Sequence, residues 1–261
     1  MKGHILSLSY DRFGCHVIQK AVECTNDEIR MIILDELFPY IKETVMHKFS
    51  CHVWQRVFQI KWDNGLPPII MINMHKTLLG IWDTVASDEN GSLVVQCIFE
   101  NSTEEEKRPI LDSVLKRTID IALGQWGNWV IQHIIEQGSE KDRNFVIKSL
   151  ISHFYILSID QYASKVIEKG LKTAPDYELK EMISKVLEPD PRTRNFPPLL
   201  EMMNNQYANY VVQHILHLAE PNQKEICIKL ILPHLNTLRT SKFGQRVAII
   251  AEKYARQMQI I

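Results

Sequence analysis

The chain has 261 residues, of which 45% are hydrophobic and 23% are charged. This balance is ordinary for a folded protein and excludes a disordered or fibrous chain. The formal net charge is −1, whereas a protein that coats duplex DNA without sequence preference would be strongly basic. The chain lacks an uninterrupted run of roughly eighteen apolar residues, so we expect no membrane-spanning helix.

The cysteines predict a reducing environment. They are odd in number and include no C-x-x-C pair: Cys15, Cys24, Cys51, Cys97 and Cys227. This pattern favours neither a disulfide scaffold nor a zinc site built on thiolates. The N-terminal residues also lack the long apolar core of a secretory signal. We therefore expect a cytoplasmic protein that holds no metal and no cofactor.

A seven-residue pattern recurs along the whole chain. Each copy begins with an aromatic residue or Asn, continues with Gly, Ser or Ala, and has Val in fifth place. The copies start at Phe13, Phe49, Asn90, Trp126, Tyr162, Tyr207 and Phe243. Their spacings are 36, 41, 36, 36, 45 and 36 residues. The two longer intervals contain the Pro-rich segments 64–68 and 189–198, which predicts a 36-residue unit with two lengthened loops.

Each unit has the pattern of a helical repeat. Downstream of the first copy, apolar residues recur three and four positions apart at Ile29, Ile32, Ile33 and Leu37. A helical unit of this length cannot bury its apolar face alone, so neighbouring units must stack. The sequence therefore predicts an all-α fold, a single curved solenoid domain over residues 1–261. The degenerate last copy, residues 233–261, is expected to cap it.

The last five residues of each copy form a pentad, and its first, second and fifth residues share one helix face. We call these residues the ladder. First positions are Cys15, Cys51, Ser92, Asn128, Ser164 and Asn209, and fifth positions are Gln19, Gln55, Gln96, Gln132, Glu168 and Gln213. Second positions are His16, His52, Leu93, Trp129, Lys165 and Tyr210, with Arg246 in the last copy. We expect the valine side to be buried, the small residue before the pentad to allow close packing, and the aromatic residue before that to be core.

The ladder has a chemistry that solvation alone does not require. Polar side chains on one exposed helix face need no ligand, but solvation does not demand Gln or Glu at the same position in six copies. Amide, hydroxyl and carboxylate groups at a fixed spacing, interleaved with flat side chains, suit the edges and faces of unstacked bases. The ladder therefore indicates an RNA-reading surface.

At these residues the chain resembles the Pumilio (PUF) repeat family. Segment 205–213, continuing to Lys253-Tyr254, is similar to the last RNA-binding repeat of the family and its C-terminal extension, and 164–169 resembles the repeat before it. The resemblance implies a right-handed α-solenoid of three-helix repeats that binds single-stranded RNA, one base per repeat. It also implies that first and fifth pentad residues contact the base edge, while second residues stack between bases.

The donors and acceptors of each pentad predict a base. Glu168, assisted by Ser164, can accept both N1–H and N2–H of guanine. An Asn–Gln pair matches the mixed edge of uracil, and a Gln with a small Cys or Ser partner matches adenine. In the family the RNA runs antiparallel to the protein. The repeats at Asn209, Ser164, Asn128, Ser92, Cys51 and Cys15 then predict 5′-UGUAAA. Leu93, which replaces a ring or Arg, should weaken its stack.

The resemblance further implies an mRNA partner, recognition in 3′ untranslated regions, control of translation or decay, and recruitment of deadenylase or translation-repression proteins. The oligomeric state stays open.

One alternative to RNA binding is a helical scaffold that binds proteins, as armadillo- and HEAT-like arrays do. An enzyme is not expected, because the chain has no P-loop, H-E-x-x-H or G-x-S-x-G motif. His214 and His217 can share a helix face, but no acidic or thiol companion is evident nearby, so no metal site is expected.

Overall fold

The computed structural model describes residues 2–260, which form two compact units. The first unit runs to Arg117 and also includes residues 125–130, and the second comprises residues 118–124 and the chain from Ile131 onward. Over the described range the regular structure is helical, with isolated β-bridges but no β-strand. None of the helices within residues 2–260 combines the length and apolarity needed to cross a membrane. The domain bounds expected from the sequence, including the cap at 233–261, stay a prediction.

The first unit consists of short and long helices in alternation. Its helices are α1 Ile5–Tyr10, α2 Gly14–Cys24, α3 Asp27–Leu37, α4 Ile41–Val45, α5 Cys51–Gln59, α6 Pro68–Thr77, α7 Trp82–Ser87, α8 Gly91–Asn101 and α9 Glu104–Lys116. A 3₁₀ turn, Phe38–Tyr40, leads into α4. Each repeat is thus a short helix, a helix that carries the pentad, and a third helix. The pentad helix α5 packs against both α2 and α8.

The second unit repeats the same arrangement. Its helices are α10 Thr118–Ala122, α12 Glu140–Ser152, α13 Phe154–Ser158, α14 Ala163–Thr173, α15 Asp176–Leu187, α16 Leu199–Met202, α17 Ala208–Leu218, α18 Pro221–Ile231, α19 Leu235–Thr240 and α20 Gln245–Gln257. Helix α11, Gly127–Gln137, begins among the residues of the first unit and ends among those of the second. The 3₁₀ turns Pro191–Thr193 and Leu232–His234 precede α16 and α19. The pentad helix α17 packs against α14 and α20.

The pentad valines form part of the core, with one exception. The fully buried ones are Val53, Val94, Val130, Val166, Val211 and Val247. Val17 is 51% exposed, so the prediction of burial is wrong at this position. In the described residues, α2 is the first pentad helix and has no earlier pentad helix packed against its valine side. Burial at this position therefore depends on the neighbouring repeat and not on the residue itself.

The small residue before the pentad allows close packing, as predicted. A Cβ atom added to Gly14 would lie 2.5 Å from the carbonyl oxygen of Leu8, and one added to Gly91 would lie 2.5 Å from that of Val85. In these two repeats the short helix thus passes directly over the start of the pentad helix. The aromatic residue before it is not core in the first copy, because Phe13 is 72% exposed. Its counterparts in the other copies are half-buried at the helix entrance.

The two lengthened loops are ordered by specific contacts. Trp62 is buried and donates from Nε1 to the carbonyl of Val57 at 3.0 Å, while the Arg30 guanidinium lies 5.3 Å from the Trp62 ring centroid. In the second loop, the Asp190 N–H donates to the carbonyl of Phe196 at 3.2 Å. Both loops lie where the sequence predicted insertions, and each connects two helices without interrupting them.

Candidate nucleic-acid interface

A side chain two residues before each motif fixes the start of most pentad helices. Asp88 Oδ1 accepts from the backbone N–H of Asn90 at 2.9 Å and from that of Gly91 at 2.8 Å. The same pair of bonds is made by Asp11, His47, Asp160, Asn205 and Ser241. These bonds satisfy backbone donors that a helix start leaves unpaired. They hold the pentad helix at its entrance, and they lower the pKa of Asp11.

The amino-acid sequence carries a signal for this turn residue that the seven-residue pattern does not include. An acceptor side chain stands at the same offset before the motif in most copies, namely Asp11, His47, Asp88, Asp160, Asn205 and Ser241, whereas the fourth copy has Gly124. Short polar side chains that accept from the backbone two and three residues ahead are typical of such turns. The spacing itself could therefore have predicted the turn.

The first ladder position is deeper than the sequence analysis expected. Every first-position side chain belongs to a residue that is at most 4% exposed: Cys15, Cys51, Ser92, Asn128, Ser164 and Asn209. Most of them bond back to a carbonyl at the helix entrance; for example, Asn128 Nδ2 donates to Gln125 at 2.8 Å, and Ser92 Oγ donates to Glu89 at 3.2 Å. Because this position lies in the first turn, its side chain meets carbonyls of the preceding turn and not open solvent.

The second ladder position is the most exposed. His16, Leu93, Trp129, Lys165, Tyr210 and Arg246 are all exposed, and His52 is half-buried. Trp129 and Tyr210 offer ring faces on which a base can stack. Large apolar surface that is left in solvent on a folded protein commonly marks a binding site. The second positions thus have the accessibility that a stacking role requires.

The fifth ladder position is half-buried in five of the six readable repeats and buried at Gln132 in the fourth. In two repeats the second-position side chain orients it. Gln19 Nε2 lies 3.3 Å from His16 Nδ1, and Gln55 Nε2 lies 3.4 Å from His52 Nδ1. A Gln amide nitrogen carries two hydrogens, so one bond to the imidazole leaves a second hydrogen for a ligand. The carboxamide is therefore held in place while it keeps a donor and an acceptor for a base edge.

In the sixth repeat the amide of the first position serves the fifth. Asn209 Nδ2 donates to the carbonyls of Asn205 at 2.8 Å and Gln206 at 3.1 Å. Asn209 Oδ1 accepts from Gln213 Nε2 at 3.1 Å. In the unbound chain Asn209 thus supports Gln213, and the contact of Asn209 with a base edge stays a prediction. The remaining Gln213 groups are the ones suited to the uracil edge.

Glu168 lies in a charged cluster made by two repeats. Lys165 Nζ donates to Glu168 Oε1 at 2.8 Å, and His214 Nε2 lies 3.4 Å from Glu168 Oε2. Lys165 Nζ also lies 5.0 Å from the centroid of the Tyr210 ring. Burial lowers the pKa of His214, and Lys172 adds to this effect, while Glu168 opposes it. His214 therefore favours its neutral form beside the carboxylate.

The histidine pair named in the sequence analysis has companions that the sequence did not reveal. His214 has the Glu168 carboxylate beside it, so the expectation of no acidic neighbour is wrong. His217 Nδ1 lies 2.8 Å from the Tyr254 hydroxyl oxygen. The repeat spacing places these partners on the adjacent pentad helices. Among the described residues, no group of three or more His, Cys, Asp or Glu side chains could hold a metal ion.

The thiols of the ladder are neutral groups. Burial raises the pKa of Cys51 to about 11 and also raises that of Cys15. Neither thiol therefore carries a negative charge near neutral pH.

In the last copy Gln245 and Ile249 are both exposed, and Ile249 has no polar group for a base edge. The donor and acceptor pattern of the ladder thus ends at Gln213.

Comparisons with known proteins identify the repeat. The model of the Pumilio-family RNA binding repeat matches residues 4–38, 41–59, 82–115, 117–151, 153–187 and 199–232. The chain is 47% identical over its full length to Meiotic coiled-coil protein 2 of Schizosaccharomyces pombe and 40% identical over 97% of its length to Meiotic PUF family protein 1 of the same yeast. It spans 37% and 43% of the lengths of these two relatives.

A solved structure supports the same conclusion. The crystal structure of PUF-8 in complex with PBE-RNA matches 97% of this chain and 72% of that chain, with a TM-score of 0.81 and 28% identity. This likeness confirms the all-α solenoid of three-helix repeats that was predicted from the sequence. The family model matches well over half of the residues, in six consecutive segments. The chain therefore belongs to the Pumilio (PUF) family of RNA-binding repeat proteins.

Proposed function

We propose that this chain binds single-stranded RNA in a sequence-specific manner, with one base for each of its six readable repeats, and that its preferred sequence is 5′-UGUAAA. The observation that carries the proposal is the graded accessibility of the ladder. Second positions are mostly exposed, fifth positions are mostly half-buried with amide or carboxylate tips, and first positions lie beneath them. The exposed second positions can stack on the face of a base, and the polar tips of the fifth positions can pair with its edge.

The adenine assignments rest on the Gln amides of the first three repeats. In two of these, a histidine holds the amide by one hydrogen, at Gln19 and Gln55. Gln96 instead donates from Nε2 to the Ser92 carbonyl at 3.2 Å. The remaining amide hydrogen can donate to adenine N1, and Oε1 can accept from the adenine amino group. Beneath these amides, the small first residues leave room for a purine.

The uracil and guanine assignments rest on the other three repeats. Gln213, supported by Asn209, presents an amide to the first base. The corresponding pair for the third base is Gln132 with Asn128, which are both buried in the unbound chain. Glu168 presents a carboxylate to the second base, where guanine offers two adjacent donors. A well-paired base edge contributes about 1–3 kcal/mol of discrimination. Six such sites can give specificity although the net charge of the chain is only −1.

For the whole protein we propose a cytoplasmic role in post-transcriptional control. Recognition of a short element in the 3′ untranslated region of mRNA would direct translation or decay through deadenylase or translation-repression partners. PUF-8, which shares 28% identity with this chain, was crystallised with RNA, and this supports RNA as the ligand. The proposed role requires binding alone and assigns no catalytic step to the chain.

Fluorescence polarisation with labelled 5′-UGUAAA and a scrambled hexamer of the same composition tests the proposal. We expect saturable binding to the first RNA and at least tenfold weaker binding to the second, because several base-edge pairs are lost together. Equal and negligible binding to both RNAs would favour the protein-binding scaffold. Equal and tight binding to both would mean that the repeats contact the backbone and do not read bases.

A further inference from the structure

Lys165 contacts two groups that would bind the same base, the Glu168 carboxylate of its own repeat and the Tyr210 ring of the next. Its ammonium donates to Glu168 Oε1 at 2.8 Å and lies 5.0 Å from the centroid of the Tyr210 ring. Tyr210 is the second ladder position of the next repeat. A base that pairs with Glu168 and stacks on Tyr210 needs the same carboxylate oxygen and the same ring face. The lysine and the base therefore compete for one place.

We infer that Lys165 competes with the base read in this repeat: it holds the donor place on Glu168 in the free protein, and a base that takes the place must displace the ammonium. This inference rests on the proposed function, because it concerns the base read by Glu168. Guanine offers two adjacent N–H donors and can replace the ammonium. A base without such donors would leave Glu168 Oε1 without its donor once the lysine departs. The lysine thus lowers the affinity of any base that takes this place, guanine included, and only guanine returns two donors to the carboxylate.

The exposure of Lys165 permits this exchange. Its side chain is 53% exposed, whereas that of Glu168 is 15% exposed. An ammonium so close to solvent can leave and regain water, and solvent-exposed ion pairs are individually weak. The Glu168 carboxylate stays where it is, because it is mostly covered. Displacement of the lysine therefore requires a change of its rotamers and no movement of a helix.

His214 keeps the carboxylate oriented while the lysine leaves. It contacts Oε2, the oxygen that Lys165 does not use, and its side chain is 27% exposed. It lies on α17, so its contact does not depend on the conformation of Lys165. The other five readable repeats carry His, Leu, Trp or Tyr at the second position, and none of these has an ammonium group. The arrangement is therefore particular to the repeat that has a carboxylate in fifth place.

A binding cycle between the lysine and the base tests this inference. Dissociation constants are measured for 5′-UGUAAA and for the same RNA with an abasic second nucleotide, on the wild type and on Lys165→Met. Methionine keeps the apolar stem and removes the ammonium. Lys169→Met is the matched control, since Lys169 lies on the same helix and pairs with Glu136 and not with Glu168. Dividing the two constants for each protein cancels the general attraction of a lysine for phosphate.

The ratio of the dissociation constant for the abasic RNA to that for 5′-UGUAAA measures the contribution of the guanine base. We expect this ratio to be about two- to fivefold larger in Lys165→Met than in the wild type, because a weak ion pair no longer competes with the base. Lys169→Met should keep the wild-type ratio. An unchanged or smaller ratio in Lys165→Met would overturn the inference, because it would mean that the lysine is a bystander or helps to bind the base. If the wild type does not distinguish 5′-UGUAAA from the scrambled RNA, the proposed function itself fails.

Discussion

Glu168 and His214 belong to neighbouring pentad helices, α14 and α17, and His214 Nε2 lies 3.4 Å from Glu168 Oε2. Glu168 stands at the end of one pentad, whereas His214 directly follows the end of the next. The carboxylate proposed to read the second base is thus supported from the repeat that reads the first. The orientation of this carboxylate therefore depends on two repeats together.

Replacement of Glu168 by Gln, with Ser164 unchanged, should move the preference of the second base from guanine to adenine. The amide has one acceptor oxygen where the carboxylate has two adjacent ones, and it offers one donor and one acceptor to the adenine edge. We expect the ratio of affinities for G and A to change by tenfold or more, roughly the value of one base-edge pair. Competition binding with RNAs that differ only at this base measures it.

The matched control for this change is Glu136→Gln, which alters a carboxylate that is paired with Lys169 and lies outside the ladder. It should keep the preference for guanine. If Glu168→Gln also keeps that preference, the fifth repeat does not read the second base.

Asn128→Ser should shift the preference of the third base from uracil toward adenine. The substitution turns the Asn128–Gln132 pair into the Ser–Gln pair that repeat three already has at Ser92 and Gln96. A shorter side chain leaves room for a purine beneath the Gln amide. We expect a change of about tenfold in the U-to-A ratio, measured with RNAs altered at the third base only. A loss of affinity for both bases by the same factor would contradict the assignment.

Asp88→Ala should destabilise the first unit by about 1 kcal/mol, the usual cost of removing a side-chain cap from a helix start. Asp88 accepts from two backbone N–H groups, those of Asn90 and Gly91. Asp88→Asn is the control, because Asn205 makes the same two contacts in the sixth repeat. The free energy of unfolding in urea measures both variants. Equal losses in the two would argue that the charge, and not the acceptor atom, is needed.

Gly91→Ala should cost about 1–3 kcal/mol of stability, since the new Cβ would lie 2.5 Å from the backbone oxygen of Val85. Gly170→Ala is the comparison. Its Cβ would meet the flexible ends of Leu150 and Met182 at 3.3 Å and of Ile147 at 3.5 Å, and Ala is favoured over Gly inside a helix. We expect the two variants to differ clearly in thermal denaturation, with Gly170→Ala near the wild type. Similar losses would contradict the close approach at α8.

His214 should make the protein less stable as the pH falls. Burial and Lys172 lower its folded-state pKa beneath the ordinary 6.5, although Glu168 opposes them, so the unfolded chain takes up the proton first. His214 therefore costs no stability well above pH 6.5 and costs progressively more as the pH drops through that value. Its neighbour on the same helix, His217, adds to the lowering.

The measurement is the difference in unfolding free energy between about pH 7.5 and about pH 5.5, where histidine titrates. His214→Gln, which cannot take up a proton, should show a smaller loss than the wild type. His153→Gln replaces an exposed histidine and should keep the wild-type loss. An identical loss in His214→Gln would mean that the environment of His214 does not disfavour its charge.

Much of the architecture could be predicted from the repeat alone. A 36-residue period with Val in a constant place is enough to predict helices that stack, and the two longer spacings located the inserted loops. The periodicity of a helix also placed the first, second and fifth pentad residues on one face. These features are local or periodic, so they require no knowledge of which repeat touches which.

Depth and pairing were decided by the tertiary structure. A helical wheel gives the direction of a side chain but not what covers it, so it could not tell that Asn209 lies beneath Gln213 or that Val17 is exposed. The contacts of Glu168 with Lys165 and His214 likewise depend on rotamers and on the closeness of α14 and α17. The sequence determined which groups each repeat carries, and the packing of one repeat on the next determined which of them remain accessible, because burial is set by neighbours that lie far away along the chain.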